Sequence, residues 1–147
     1  MQAGAVSGKP LISHVSIAVS NLDESVELFQ TLTGHAPTLV KEVPEQQVKV
    51  AIFSSDTDGE HSGGNIELVS PLSDDSPVGR FIAKKGEGLH HICLYVDDLE
   101  EKLAEMKAAG ARLIDETPKI GAEGDKVAFV HPSSCNGVLV ELQEKSR

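Results

Sequence analysis

Two stretches of the chain alternate apolar and polar positions in the same way and then change period at the same point. In residues 11–19, Val15, Ile17 and Val19 fall on one side of an extended strand, and His14, Ser16 and Ala18 on the other. Asn21 then caps a helix predicted to about Thr33, with Leu22, Val26 and Phe29 as its apolar stripe and Gly34 closing it. In residues 91–96 the same alternation returns with His91 in place of His14. Asp98 caps a second helix over 99–109, striped by Leu99, Leu103 and Met106 and closed by Gly110.

The segments after the two helices are also similar. The first half continues with a strand over 38–43, a turn at Pro44-Glu45-Gln46-Gln47, a strand over 48–53, a Ser/Asp/Gly-rich loop over 54–64 and a strand over 65–69. A polar linker over 71–76 leads to a short helix over 78–85. The second half continues with residues 112–115, a loop containing Pro118, Gly121 and Gly124, a strand over 126–130, a turn over 131–137 and a strand over 138–142.

Spacing supports a duplication. From the strand histidine to the first apolar helix residue is eight positions in both halves (His14 to Leu22, His91 to Leu99). From histidine to closing glycine is 20 and 19, and from histidine to the glutamate of the last strand (Glu67, Glu141) 53 and 50. The predicted fold class is α+β, with two tandem βαβββ modules pairing into an open, barrel-like mixed sheet around a cleft. Residues 1–9 are expected to be a loose segment and 10–147 a single domain. Module one occupies about 11–72, the linker and short helix 73–88, and module two 89–143. Neither module is long enough to bury a good core alone.

Parity then brings chemistry together. Glu67 lies between Ile66 and Leu68, and Glu141 between Val140 and Leu142, so each glutamate faces away from the helix layer. His14 and His91 face the same way. A two-fold pairing of the modules would place two imidazoles and two carboxylates in one cleft, a mixed N/O ligand set for Co²⁺, Mn²⁺, Ni²⁺, Fe²⁺ or Zn²⁺ rather than Ca²⁺. Any one of the four alone would read as an ordinary half-buried or solvated residue; it is the matched placement in both halves that argues for a metal. The remaining histidines lack that match. Alternation puts His90 on the opposite face from His91, as a packing or hydrogen-bonding residue. His35 follows a helix-closing glycine, His61 lies in a loop, and His131 precedes Pro132 in a turn. Cys93 shares the parity of His91 and reads as a small core residue.

Composition narrows the partners. The 147 residues carry a formal charge of −10 with one Tyr, four Phe and no Trp, which disfavours nucleic acid. No apolar run approaches the roughly 18 to 20 residues that span a bilayer. Residues 1–10 hold one Lys and no apolar segment, unlike a signal or Arg-rich transit peptide. Two cysteines, Cys93 and Cys135, do not make a disulfide framework. The expected location is cytoplasmic, or the mitochondrial matrix if a presequence was trimmed.

The paired βαβββ plan with His14, Glu67, His91 and Glu141 resembles the vicinal oxygen chelate (glyoxalase-like) superfamily, over about residues 11–143. Longer strings resemble its methylmalonyl-CoA epimerase family: Val43-Pro44-Glu45-Gln46-Gln47-Val48-Lys49-Val50, Asn65-Ile66-Glu67-Leu68-Val69-Ser70-Pro71-Leu72, Asp75-Ser76-Pro77-Val78, and residues 86–96 and 120–142. The resemblance implies a homodimeric enzyme that interconverts (2R)- and (2S)-methylmalonyl-CoA. It also implies a divalent metal, cobalt first, with Mn²⁺, Ni²⁺ or Zn²⁺ as alternatives, held by His14, Glu67, His91 and Glu141. Glu141 is the first candidate for one of the two acid/base groups. Some family members carry a second glutamate where this chain has Val50, and Glu45 in the adjacent turn is the substitute. Arg80, Lys84, Lys85 and Lys119 are candidates for the anionic CoA tail. The competing readings are a glyoxalase I type lyase, an Fe(II) ring-cleaving dioxygenase and a metal-free ligand-binding protein of the superfamily.

Overall fold

The computed structural model describes residues 10–54 and 63–145. The predicted loose segment 1–9 and His61 lie outside the described residues. Module one runs β1 (Ile12–Ala18), α1 (Leu22–Thr33), β2 (Leu39–Val43), β3 (Val48–Phe53) and β4 (Asn65–Pro71). A connecting helix α2 (Pro77–Lys85) precedes module two: β5 (Gly88–Tyr95), α3 (Leu99–Ala108), β6 (Lys119–Ile120), β7 (Lys126–Val130) and β8 (Val140–Glu144).

The eight strands form one mixed sheet, curled into a half-barrel, in the order β2-β3-β4-β1-β5-β8-β7-β6. Each module contributes four neighbouring strands with the same polarity pattern. β1 pairs in parallel with β4, as β5 does with β8, and the outer pairings are antiparallel. The modules join through the antiparallel pair β1–β5, on which a local two-fold axis falls. The duplication inferred from spacing is therefore present in the strand order itself.

The helices start where the sequence predicts. Asn21 Oδ1 accepts from the Glu24 amide, Asp98 Oδ1 from the Glu101 amide, and Ser76 Oγ from the Gly79 amide, with Pro77 opening α2. Gly34, in the left-handed region at φ 77°, ends α1 and returns its amide to Gln30. Leu22, Val26 and Phe29 of α1 pack on Ile17, Ala51, Phe53 and Leu68. Leu99, Leu103 and Met106 of α3 pack on Ala128, Val130, Val140 and Leu142. These two clusters occupy the convex face. A third, built on Ala18, Val48, Val50, Val69 and Val78, lies on the concave side, where α2 closes one end.

Module two differs from its predicted outline. Residues 112–115 do not form a strand; only Leu113 makes an isolated bridge to Val130. The outer strand is instead β6, inside the predicted Pro/Gly loop and paired with Val127 and Lys126. β8 begins at Val140 rather than 138, because Asn136 and Gly137 both have positive φ and prolong the turn.

Candidate metal centre

The two central strands each carry a bulge at the same place. Across β1–β5, His14 opposes Cys93 and Ser16 opposes His91, but the register shifts between Ile12 and His14 and again between Ser16 and Ile17. Ser13 is the extra residue on β1 and His90 the extra residue on β5. Each stands immediately before its strand's histidine. A bulge releases a residue from strict alternation, and this corrects the expectation for His90. Instead of facing the helix layer, it lines the concave cavity, edge-on to Phe81 of α2, with its Nδ1 2.8 Å from His91 Nδ1. Ser13 does the corresponding thing in module one, with Oγ 3.1 Å from His14 Nδ1.

With their Nδ1 atoms engaged in this way, both imidazoles present Nε2 to the same point. Glu141 Oε1 is 3.0 Å from His91 Nε2 and 3.2 Å from His14 Nε2; Glu67 Oε1 is 3.8 and 3.6 Å from the same atoms. All four side chains are buried, between 6 and 7% exposed, so none is a solvated surface group. The four residues predicted from parity are thus brought together by β1, β4, β5 and β8. Ser16 Oγ donates to Glu67 Oε1 at 2.8 Å, and His91 leans edge-on against Phe129 at 5.2 Å between ring centroids.

This set fits a divalent ion. Ligand atoms about 2.1 Å from a cation lie about 3.0 to 3.4 Å apart when cis or tetrahedral, and the closer Nε2–Oε1 separations fall in that range. Among the described residues, buried His14 Nε2 makes no hydrogen bond of good geometry; Glu141 Oε1 lies 3.2 Å from it as an ion-pair partner. A nitrogen lone pair in that position is what a metal uses. In the metal-free chain the same geometry appears as shifted pKa values. Burial pulls His14 down, but the Glu141 carboxylate and the charge of Glu67 outweigh it and raise the group to about 9. Burial pushes Glu141 up, and the two imidazoles reverse this, holding it well below the usual carboxylate range. Burial and the neighbouring His91 lower His90 to about 4.

Cys93 also reaches the cluster, within 4.8 Å of ligand atoms of His14 and Glu141. Its thiol is pushed up by burial and by Glu141, and Sγ donates to Gln143 Oε1 at 3.4 Å. It is a neutral donor below the site, in keeping with its reading as a small core residue.

The quartet forms the floor of a cavity of about 290 Å³. Its walls are mostly apolar, with Val50, Val69, Val127, Phe129 and Leu139 among them, and Glu45, Gln46 and Lys119 also line it. Val50 is 2% exposed on β3 and puts a methyl surface where the resembling family can carry a glutamate. Glu45, on the exposed 3₁₀ turn before β3, is in the lining. Of the four basic candidates only Lys119 is in the lining; its Nζ lies 5.1 Å from the Phe129 ring centroid and 3.4 Å from Asp115. Arg80 is turned back to the Asp75 carbonyl, and Lys84 and Lys85 stand exposed at the end of α2.

A sequence profile of the Glyoxalase/Bleomycin resistance protein/Dioxygenase superfamily matches residues 13–129. Methylmalonyl-CoA epimerase, mitochondrial, from Dictyostelium discoideum is 44% identical over 135 residues, covering 91% of this chain and 78% of that one. The solved Streptomyces coelicolor methylmalonyl-CoA epimerase in complex with 2-nitronate-propionyl-CoA superposes with a TM-score of 0.87. It is 31% identical, over 95% of this chain and all of that one. A methylmalonyl-CoA epimerase in complex with methylmalonyl-CoA and NH4+ superposes at 0.84, with 33% identity over 92% of this chain and 94% of that one. The chain belongs to the Glyoxalase/Bleomycin resistance protein/Dioxygenase superfamily and, within it, to the methylmalonyl-CoA epimerase family.

Proposed function

We propose that the chain is a metal-dependent epimerase that interconverts (2R)- and (2S)-methylmalonyl-CoA. The observation that carries this is the convergence of His14, Glu67, His91 and Glu141, all buried, at the floor of one apolar cavity. Similarity to epimerases solved with acyl-CoA ligands supports the substrate class.

The C2 proton of the substrate lies between a thioester and a carboxylate and is too weakly acidic to leave unaided. His14, Glu67, His91 and Glu141 would hold a divalent ion, cobalt in our reading, which would supply Lewis acidity toward a thioester oxygen that gains negative charge. The chain's own residues do the rest. The apolar walls exclude water from the carbanionic carbon. Epimerisation then needs a proton removed on one face and returned on the other. Glu141, on the floor, is the candidate for one face. Glu123 and Asp125 also line the cavity but are engaged by Gln143, which points to Glu45 at the mouth for the other face. Lys119 supplies positive charge to an anionic ligand. We further propose a homodimer, working in the cytoplasm or in the mitochondrial matrix.

The test is exchange of the C2 proton of methylmalonyl-CoA in D₂O, followed by NMR, with EDTA-treated chain and with added Co²⁺. Exchange that requires Co²⁺ supports the proposal. No exchange under either condition removes the epimerase reading, and equal exchange in EDTA removes its metal dependence.

A further inference from the structure

A chain of hydrogen bonds runs from His14 Nδ1 through Ser13 to Gln143 and Asp125, which also line the cavity, and its direction is fixed at the far end. Gln143 of β8 is 2% exposed. Its Nε2 donates to Asp125 Oδ2 at 2.7 Å and to Glu123 Oε1 at 3.0 Å. Ionised carboxylates only accept, so the amide nitrogen must face them and the amide oxygen must face inward. That oxygen accepts from Ser13 Oγ at 2.7 Å. With its proton given to Gln143, the Ser13 hydroxyl can only accept from His14 Nδ1, 3.1 Å away. His14 is thereby held as the Nδ1–H donor, with Nε2 directed at the cleft. The bulge at Ser13 makes this possible, because a strictly alternating serine would face the other side of the sheet.

We infer that Asp125, Gln143 and Ser13 are positioning residues that select the His14 tautomer competent to bind a metal. The inference rests on the metal site proposed above. Histidine ligands characteristically donate the second ring N–H to a fixed acceptor, and loss of such an acceptor lowers metal affinity or activity about 10–100-fold. Here the acceptor is a neutral hydroxyl, oriented by a buried carboxylate two hydrogen bonds further out.

Two changes probe the relay without touching a ligand. Ser13→Ala removes the acceptor. The near-isosteric pair Glu123→Gln with Asp125→Asn lets the Gln143 amide turn over. Ser13 then accepts from the amide, donates to Nδ1 and favours the wrong tautomer. Co²⁺ titration of the full chain by visible absorption is expected to show about 10–100-fold weaker binding in both variants. NMR of ¹⁵N-histidine chain, metal-free at alkaline pH where the imidazole is neutral and also Zn²⁺-loaded, is expected to show a hydrogen-bonded Nδ1–H signal of His14 in the parent that is lost in Ser13→Ala. Co²⁺ affinity within twofold of the parent in both variants, or a parent that binds Co²⁺ without that signal, overturns the inference. If Ser13→Ala does not fold, the double amide variant decides. A parent that keeps the signal but binds no Co²⁺ would end the metal reading and leave the relay standing. Absence of epimerase activity alone bears only on the proposed function.

Discussion

Glu141→Gln in the metal-stripped chain tests whether the quartet is electrostatically coupled as its geometry requires. The amide preserves shape and removes one charge from between two imidazoles, at 3.0 and 3.2 Å. Raising the His14 pKa from 6.5 to about 9 is worth about 3 kcal/mol. A group whose pKa is higher in the folded chain contributes that stability in full below its unfolded value, here 6.5. The contribution fades as pH rises through about 9. Glu67 remains 3.6 Å from His14 Nε2 and retains part of the effect, so the expected loss in Glu141→Gln is about 2 kcal/mol near pH 6. Near pH 10, where His14 is neutral in both chains, the difference should shrink to under about 1 kcal/mol, the worth of an ordinary hydrogen bond. Urea unfolding in EDTA, repeated across that range, reads this directly. A difference that is flat with pH, or larger at pH 10 than at pH 6, refutes the coupling.

Other outcomes concern the same site and the core beneath it. His91→Ala should abolish retention of Co²⁺ after dialysis and turnover of methylmalonyl-CoA; an active, metal-replete variant removes His91 from the ligand set. Because His14 holds a proton below about pH 9, Co²⁺ binding near neutrality should expel it, and calorimetry in buffers of different ionisation enthalpy should count about one proton released. Lys119→Ala should raise KM for an acyl-CoA up to about fivefold, the scale of one partly exposed charge, with kcat little changed; a fall in kcat at constant KM would give Lys119 a different role. Leu99→Ala, at a fully buried position of α3, should cost about 2–5 kcal/mol in denaturant unfolding while leaving Co²⁺ affinity unchanged. A lactoylglutathione assay separates the lyase reading, which requires activity there and none on methylmalonyl-CoA.

The convergence of His14, Glu67, His91 and Glu141 was legible because two signals agreed. Spacing matched His14 with His91 and Glu67 with Glu141, and strand parity put all four on one face. Parity also carried Gln143, two residues beyond Glu141, but it has no counterpart in module one, where Val69 stands two residues beyond Glu67. Ser13 and His90 were hidden for a stronger reason. Their orientation depends on bulges, which arise from how β1 meets β5 across the module boundary and leave no mark in the local pattern. The outer strand of module two was misplaced because β6 is only two residues long and sits among turn-forming residues. Arg80, Lys84 and Lys85 share α2 with Pro77 and Val78, which line the cavity, yet helical periodicity could not show that these three basic residues lie outside the lining.

The paired bulges have diverged in what they place behind each histidine. Behind His14 stands a serine tied through Gln143 to Asp125, all three buried. Behind His91 stands His90, which lines the cavity and rests on Phe81 of the connecting helix. The cradle is therefore mechanically lopsided. Its first half is held by a hydrogen-bonded relay whose outer members, Gln143 and Asp125, themselves line the cavity. Its second half rests on a ring contact with the connecting helix, so the two histidines are supported by different parts of the fold.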